Sequence, residues 1–398
     1  MRLDLREDLP LSLAPGAELP RFARGGSPQS LRIGVLAHIK HPIRQPFAGG
    51  LEAFTYDMVK GLQARGHEVT LFASEASDTD LGLASIYSDA NYDARSGCRA
   101  WSSDAEEYAS EHSAYLDLMR SVDQHGFDVL FNNSLHYVPV NMASRLETPL
   151  LTVFHTPPFA ELIIAYSGGS VAGRFATPSR ANAHSWASLI PDCHVIPNGI
   201  DLSFWRPTES PADHAIWFGR VVPEKGTHLA IDAARKAGMK LRIAGPAVNR
   251  RYFDDCVAPR LGDGIEYLGH LSRSELVHEI SGAAVAVITP RWDEPFGLVV
   301  AESLACGTPV AGFARGALPE LVDAETGSLS TPDDVEALAE SILEARGKSR
   351  AACRARAVAN WGYEQMLDHY EALLAETAGI GRKAFMATGV SAMTATSL

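Results

Sequence analysis

Apolar and polar positions follow two recurring rhythms along this chain. Short, mostly apolar runs, as buried parallel strands make, alternate with stretches whose apolar residues fall three or four apart, the spacing of one helix face. The first run is Leu31–Ala37, followed by a Pro- and Gly-rich loop from His38 to Gly50. Leu51–Arg65, apolar at 51, 54, 58, 59 and 62, predicts a helix, and Gly66 stands where a C′ glycine ends one. Val69–Ala73 predicts the next strand, so the chain opens strand–loop–helix–turn–strand, the unit of parallel sheets. Further strands are predicted at Asp128–Phe131, Leu150–Phe154, Ala176–Ser179 and Cys193–Ile196, with a helix at Val140–Glu147.

Pro and charge break the rhythm over Asn198–Asp213, and a second alternation follows. Its strands are Ala215–Phe218, Lys240–Ala244, Ile265–Tyr267, Ala284–Ile288 and Pro309–Gly312; its helices are Gly226–Gly238, Arg273–Gly282 and Gly297–Cys306. Helical patterning returns over Pro332–Ala345 and runs on to about Glu376. Residues 1–30 read as a flexible arm and 379–398 as a weakly ordered tail, neither carrying a sustained period. The pattern predicts an α/β protein of two doubly wound domains, with ligands beyond the carboxyl ends of the strands and the main site in the cleft between them.

Charge narrows the field. With 35 Lys+Arg against 48 Asp+Glu, a formal charge of −13, no broad nucleic-acid surface is expected. Cys98, Cys193, Cys256, Cys306 and Cys353 are odd in number and show no CxxC spacing, which excludes a disulfide framework or a cysteine zinc site and suggests reduced thiols. Apolar runs such as Ala283–Ile288 are too short to span a membrane, and acids interrupt the opening MRLDLREDLPLSL, so the expected location is the cytoplasm.

The densest chemistry lies in Arg291–Val310, RWDEPFGLVVAESLACGTPV. A strand gives way to a loop and a helix opens near Gly297; its first N–H groups and dipole make an anion site suited to phosphate. Glu294 before that helix and Glu302 within it lie about 12 Å apart on helical spacing, which fits a sugar and a ribose flanking a diphosphate. Spacing alone equally fits a capped helix with two surface glutamates. In Trp217–Gly226, Gly219, Arg220 and Lys225 stand where the second domain's first strand meets its first helix, and the two cations can hold a diphosphate; a solvated Glu-Lys turn reads the same way. His155 follows an apolar strand, and Gly49-Gly50 precedes the first helix. Asp78-Thr-Asp80 invites a metal reading without the further ligands, and Asn132-Asn-Ser134 matches a glycosylation sequon but is read as a strand end.

Taken in order, Gly-Gly-x-Glu, His-Thr, Pro-Asn-Gly-Ile-Asp, Phe-Gly-Arg…Glu-Lys-Gly and Glu-x7-Glu resemble the retaining glycosyltransferases of family 4, over about residues 31–375. The resemblance implies the GT-B fold: an acceptor-side domain over 31–199, a nucleotide-sugar domain over 200–358, and helices over 359–378 crossing back to the first domain. It implies that Arg220 and Lys225 bind the donor diphosphate and that Glu294 holds sugar hydroxyls, helped by backbone N–H groups around Phe296, Gly297, Leu298 and Val299. It places the ribose on Glu302, the sugar near His155, the phosphates near Gly50, and the base near Gly269 and Leu271. The implied reaction is metal-free transfer, with retention, of a hexosyl unit from a nucleoside-diphosphate sugar, UDP-linked first and GDP-mannose second, to a hydroxyl-bearing acceptor. No cofactor is expected. A soluble small-molecule acceptor is favoured over a lipid-linked one, because Lys40 and Lys60 are the only lysines before residue 190. A non-catalytic sugar-nucleotide binder would keep the second-domain motifs and lose His155 and Gly-Gly. A homodimer is left open.

Overall fold

In the computed structural model, the described residues are 30–93, 98–99, 103–168, 171–207 and 212–379. The expected arm, up to residue 29, and the expected tail from 380 lie outside them. The first sheet takes β1 (Arg32–Leu36), β2 (Glu68–Ser74) and β3 (Leu83–Tyr87), and then, past a small hairpin of β4 (Tyr92–Asp93) and β5 (Cys98–Arg99), β6 (Val129–Asn132), β7 (Leu150–Val153), β8 (Arg174–Thr177) and β9 (His194–Val195). It is parallel throughout, in the order β3-β2-β1-β6-β7-β8-β9. The second sheet holds β10 (His214–Phe218), β11 (Lys240–Ala244), β12 (Ile265–Gly269), β13 (Val285–Ile288), β14 (Val310–Phe313) and β15 (Gly327–Ser330). It too is parallel, in the order β12-β11-β10-β13-β14-β15. Each order reverses beside its first strand, and that reversal opens a crevice at the strands' carboxyl ends.

The helices of the first domain are α1 (Gly50–Ala64), α2 (Asp104–Ser121), α3 (Tyr137–Met142), α4 (Ala160–Ser167) and α5 (Arg180–Trp186). The second has α6 (Thr227–Lys236), α7 (Arg250–Tyr252), α8 (Arg273–Gly282), α9 (Leu298–Ala305), α10 (Leu318–Leu321), α11 (Val335–Ala345) and α12 (Arg350–Asn360). The last helix, α13 (Tyr363–Thr377), returns to the first domain. Its Leu367, Tyr370 and Leu374 join Ile33, Val35, Met58 and Leu62 in one buried core. Arg65 at the end of α1 reaches Glu364, Asp368 and Glu371 of α13 at 2.7, 2.9 and 2.6 Å. Where the chain crosses between domains its two passes lie side by side: the Ile200 N–H donates to the Trp361 carbonyl at 2.9 Å and the Tyr363 N–H to the Ile200 carbonyl at 3.0 Å.

Several expectations shift, each for a local reason. The helix expected over Val140–Glu147 begins at Tyr137, because the His136 side chain caps it by accepting from the Val138 N–H, and it passes into a 3-10 turn at Ala143–Arg145. The strand expected over Ala176–Ser179 is β8, ending at Thr177, because the Ser179 side chain turns to accept from the Asn182 N–H and starts α5. Residues 74–112, where the pattern predicts no strand or helix, contain β3 and the first half of α2, whose apolar signal is diluted by acids and alanines around buried Tyr115, Leu118 and Met119. The stretch 155–175, where the pattern predicts no element, contains α4, which packs through Leu162 and Tyr166 on an aromatic cluster of Phe154, Phe175 and Trp186. Asn132 of the sequon is buried and bonds Thr152 and Ser134. Asp78 caps a short turn by accepting from the Asp80 N–H at 3.0 Å, and among the described residues no group of three or more His, Cys, Asp or Glu is placed to hold a metal ion.

Candidate functional site

The carboxyl ends of both sheets face one cavity of about 430 Å³. From the second domain, β10 delivers Gly219 and Arg220, and β13 delivers Thr289, Trp292 and Glu294. The turn carrying Lys225 is fixed to the end of β13: the Thr289 hydroxyl donates to the Lys225 carbonyl at 2.9 Å, and the Arg291 N–H donates to the Glu224 carbonyl at 2.8 Å. That joint holds Lys225 Nζ at 2.8 and 2.7 Å from the two oxygens of Glu294 and 5.3 Å from the centre of the Trp292 ring. Arg220 is exposed and has no ion-pair partner among the described residues. α9 opens at Leu298 behind Gly297, whose φ of +91° turns the chain with no side-chain cap, so its leading N–H groups are left for a ligand.

Glu294 is held from behind. The Ala317 N–H donates to its carbonyl at 2.8 Å, and Gly316 (φ +58°) lies so close that a Cβ there would stand 2.3 Å from the Glu294 nitrogen. The first domain supplies Gly49 and Gly50, and a Cβ on Gly50 would come within 3.1 Å of Leu298 across the cleft. His155, at the end of β7, pairs its Nε2 with Asn133 Oδ1 at 2.8 Å and packs its ring against Phe54 at 4.6 Å. Burial pushes His155 down to about 3 against the pull of Glu52, so at neutral pH it is uncharged. Burial would raise Glu52, but His38, with Nδ1 3.7 Å away, the residue's own backbone N–H and His41 together hold this carboxyl below its ordinary value.

Of the residues singled out from sequence, Gly49, Gly50, His155, Gly219, Arg220, Lys225, Glu294, Phe296, Gly297, Leu298 and Val299 line this cavity. Glu302, Gly269 and Leu271 do not. Glu302 is half-buried on α9, where burial pushes its carboxyl up to about 8 although Arg273 pulls it down. Gly269 ends β12 and accepts from the Gly245 N–H at 2.7 Å, while Leu271 packs on the second domain's core. Sequence reasoning missed Trp292, the ring beside Lys225, and Asn133, the partner of His155. Trp292 stood in the quoted motif, but Asn133 left no signal beyond the sequon it was read into.

Two parallel doubly wound domains with their strands' carboxyl ends on one cleft have the architecture of the GT-B fold. The pattern described as "Glycosyltransferase Family 4" matches residues 48–204, and that of "Glycosyl transferases group 1" matches residues 209–358. The chain belongs to the group 1 glycosyltransferases of family 4. It is 36% identical over 172 residues to a glycogen synthase of Mycobacterium tuberculosis (40% of this chain, 41% of that protein). It is 33% identical over 177 residues to a D-inositol 3-phosphate glycosyltransferase of Mycolicibacterium smegmatis (40% and 41%). These matches span about two fifths of the relatives' length. Its fold is similar to that of a glycosyltransferase involved in avilamycin A biosynthesis (TM-score 0.62, 21% identity, covering 88% of this chain and 98% of that one). It is also similar to Anabaena HepE in complex with UDP and glucose (TM-score 0.68, 18% identity, 87% and 100%) and to sucrose-phosphate synthase from Thermosynechococcus elongatus (0.67, 18%, 89% and 100%).

Proposed function

We propose that this protein is a retaining, metal-independent hexosyltransferase, moving a sugar from a nucleoside-diphosphate donor to a hydroxyl of a soluble acceptor. The observation that carries the reading is the Lys225–Glu294 pair at the second domain's switch point, facing His155 and Gly50 across the cleft. Negative charge grows on the departing diphosphate, and Arg220, Lys225 and the α9 N-terminus are fixed donors for it. As the diphosphate takes up Lys225, Glu294 is released to accept hydrogen bonds from sugar hydroxyls. His155, neutral, exchanges hydrogen bonds with the sugar without adding charge. The acceptor oxygen bonds to the anomeric carbon on the face from which the phosphate oxygen departs and gives its proton to that phosphate, which retains the anomeric configuration. Glu302 serves the ribose, and Gly269 and Leu271 the base. UDP is the first choice of nucleotide, a choice supported by the HepE complexes with UDP and UDP-glucose; GDP is second. Among the described residues no helix is long and apolar enough to cross a membrane, in keeping with a cytoplasmic enzyme and a soluble acceptor.

The test is thermal unfolding with UDP, GDP, ADP and their glucose and mannose conjugates, with and without EDTA. A ligand at 100 times its Kd adds about 2.7 kcal/mol of stability. One nucleotide series should raise the midpoint and EDTA should leave that rise unchanged. A rise abolished by EDTA overturns the metal-free mechanism, and no rise with any nucleotide overturns the transferase reading.

A further inference from the structure

A second cavity, of about 210 Å³, lies wholly in the first domain and opens beside the cleft; His38 and Leu135 line both. Its volume is that of about seven waters at roughly 30 Å³ each, the scale of one ring rather than a chain of rings. The divide between the cavities is built with care. Leu135 holds φ +55°, a left-handed conformation that a leucine adopts only when its surroundings force it. The force is visible: the Asn133 N–H donates to the Leu36 carbonyl at 2.8 Å, Asn132 Oδ1 accepts from the Ser134 hydroxyl at 2.6 Å, and that hydroxyl accepts from the His136 N–H at 3.1 Å.

His136, 9% exposed, lines this second cavity. Its Nδ1 accepts from the Val138 N–H at 3.2 Å, which places the ring proton on Nε2. That Nε2 is a buried donor with no hydrogen-bond partner among the described residues. Beside it stands an aromatic wall: Tyr137 stacks on His136 at 4.7 Å, and Tyr108 lies nearly parallel to Tyr137, 13° apart with centroids at 6.1 Å. Tyr108 is 49% exposed, a large ring face open to solvent. Such faces, negative at their centre, suit the C–H face of a hydroxylated ring.

The charges exclude one kind of ligand. Among the described residues the cavity's lining carries one ammonium, Lys40, 3.9 Å from Glu111, a second carboxylate, Glu161, on α4, and no arginine. A phosphate or carboxylate placed here would meet two carboxylates and a lysine already near one of them.

We propose that this cavity is the acceptor site and that it takes a single non-anionic hydroxylated ring, a saccharide or cyclitol, stacked on Tyr108 and Tyr137 with a ring oxygen or hydroxyl on His136. The acceptor role rests on the transferase reading above; the ring-binding itself does not. Saturation-transfer NMR on the whole chain without nucleotide tests it, with methyl α-glucoside and myo-inositol against glucose 6-phosphate and myo-inositol 1-phosphate. The neutral rings should bind at least tenfold tighter than their phosphates. Tyr108→Ala, at an exposed position, should weaken them roughly fivefold, as a lost stacking face does. It should leave unchanged the melting shift given by nucleotide. Glu161→Lys should bring the phosphates up toward the neutral rings. Phosphates binding as well as neutral rings in the unaltered protein, or Tyr108→Ala binding as tightly as it, would overturn the assignment. If neutral rings bind but no nucleotide shifts the midpoint, the acceptor role falls with the donor reading while the ring site stands. If a nucleotide shifts the midpoint and no neutral ring binds, the ring site alone falls.

Discussion

Gly316 touches no substrate in the reading above, yet replacing it should damage the site more than replacing many residues that do. Its φ of +58° alone charges any other residue about 1–2 kcal/mol. A Cβ there would stand 2.3 and 2.4 Å from the nitrogen and oxygen of Glu294 and 2.8 Å from the Asp293 carbonyl carbon. These are backbone atoms and cannot rotate aside, so the two loops must part by about 1 Å, an overpacking strain of about 1–3 kcal/mol. The bond from the Ala317 N–H to the Glu294 carbonyl lies across that gap and stretches with it. Gly238 is the control: φ +66°, with nothing within 4 Å of its Cβ position. Gly238→Ala should therefore cost about 1–2 kcal/mol and leave turnover alone. Gly316→Ala should cost about 2–5 kcal/mol in total and, by shifting Glu294 by about 1 Å, lower kcat/KM by up to about 100-fold. Urea unfolding and initial rates with the donor found by thermal shift measure both quantities. Equal destabilisation by the two variants would refute the steric argument. Normal kinetics in Gly316→Ala would refute the claim that this loop positions Glu294.

Further outcomes follow from the same geometry. Lys225→Met and Glu294→Gln should each weaken donor binding, and a double-mutant cycle by urea unfolding should return a coupling of about 1–2 kcal/mol for this partly buried pair; additive effects would mean that the 2.7 Å contact carries no energy. Asn133→Asp puts a carboxylate on His155 Nε2 and should raise that histidine's pKa from about 3 toward the ordinary range, read by NMR titration of the ring. His136 and His155 both fold with pKa about 3 against 6.5 unfolded, so the unfolded state takes up protons first as pH falls. Their contribution is whole above pH 6.5 and drains away toward pH 3, with about 2 kcal/mol lost per histidine by pH 5. Glu302 acts in the opposite sense, stabilising at low pH and losing that contribution as pH rises from 4.5 through 8. The acid-side loss should therefore be steeper in Glu302→Gln, and urea midpoints at pH 7 and 5 that do not move in that variant would contradict it.

The second domain was the more legible half. Its chemistry is concentrated in contiguous segments, so that the residues between Arg291 and Val310 announce a strand end, a turn and a helix start together. What those segments did not disclose is that Lys225 and Glu294, 69 positions apart, hold each other at the cleft. The first domain hid more. α2 buries Tyr115 and Met119 among polar neighbours, although the second domain has its own silent element in β15, a Gly-Ser-Leu-Ser strand with no apolar run to show. The loop Asn133–His136 carries a histidine's partner, a strained leucine and an unsatisfied donor. It reads in sequence only as a sequon after a strand, because its meaning lies in backbone angles and in contacts with residues more than twenty positions away.

The return of α13 to the first domain also bears on how the molecule is made. The core around Ile33, Met58 and Leu62 is not closed until Leu367, Tyr370 and Leu374 have been added. On the ribosome, the first sheet emerges by the time Val195 is out but stays open on one face while roughly 180 more residues are synthesised. At about 5–20 residues per second that is a wait of roughly 10–35 s. During this interval the second domain, whose own strands are contiguous, can fold on its own. A nascent chain halted before Tyr363 would thus present the second domain tethered to a first domain whose core is still uncovered on the face that α13 closes.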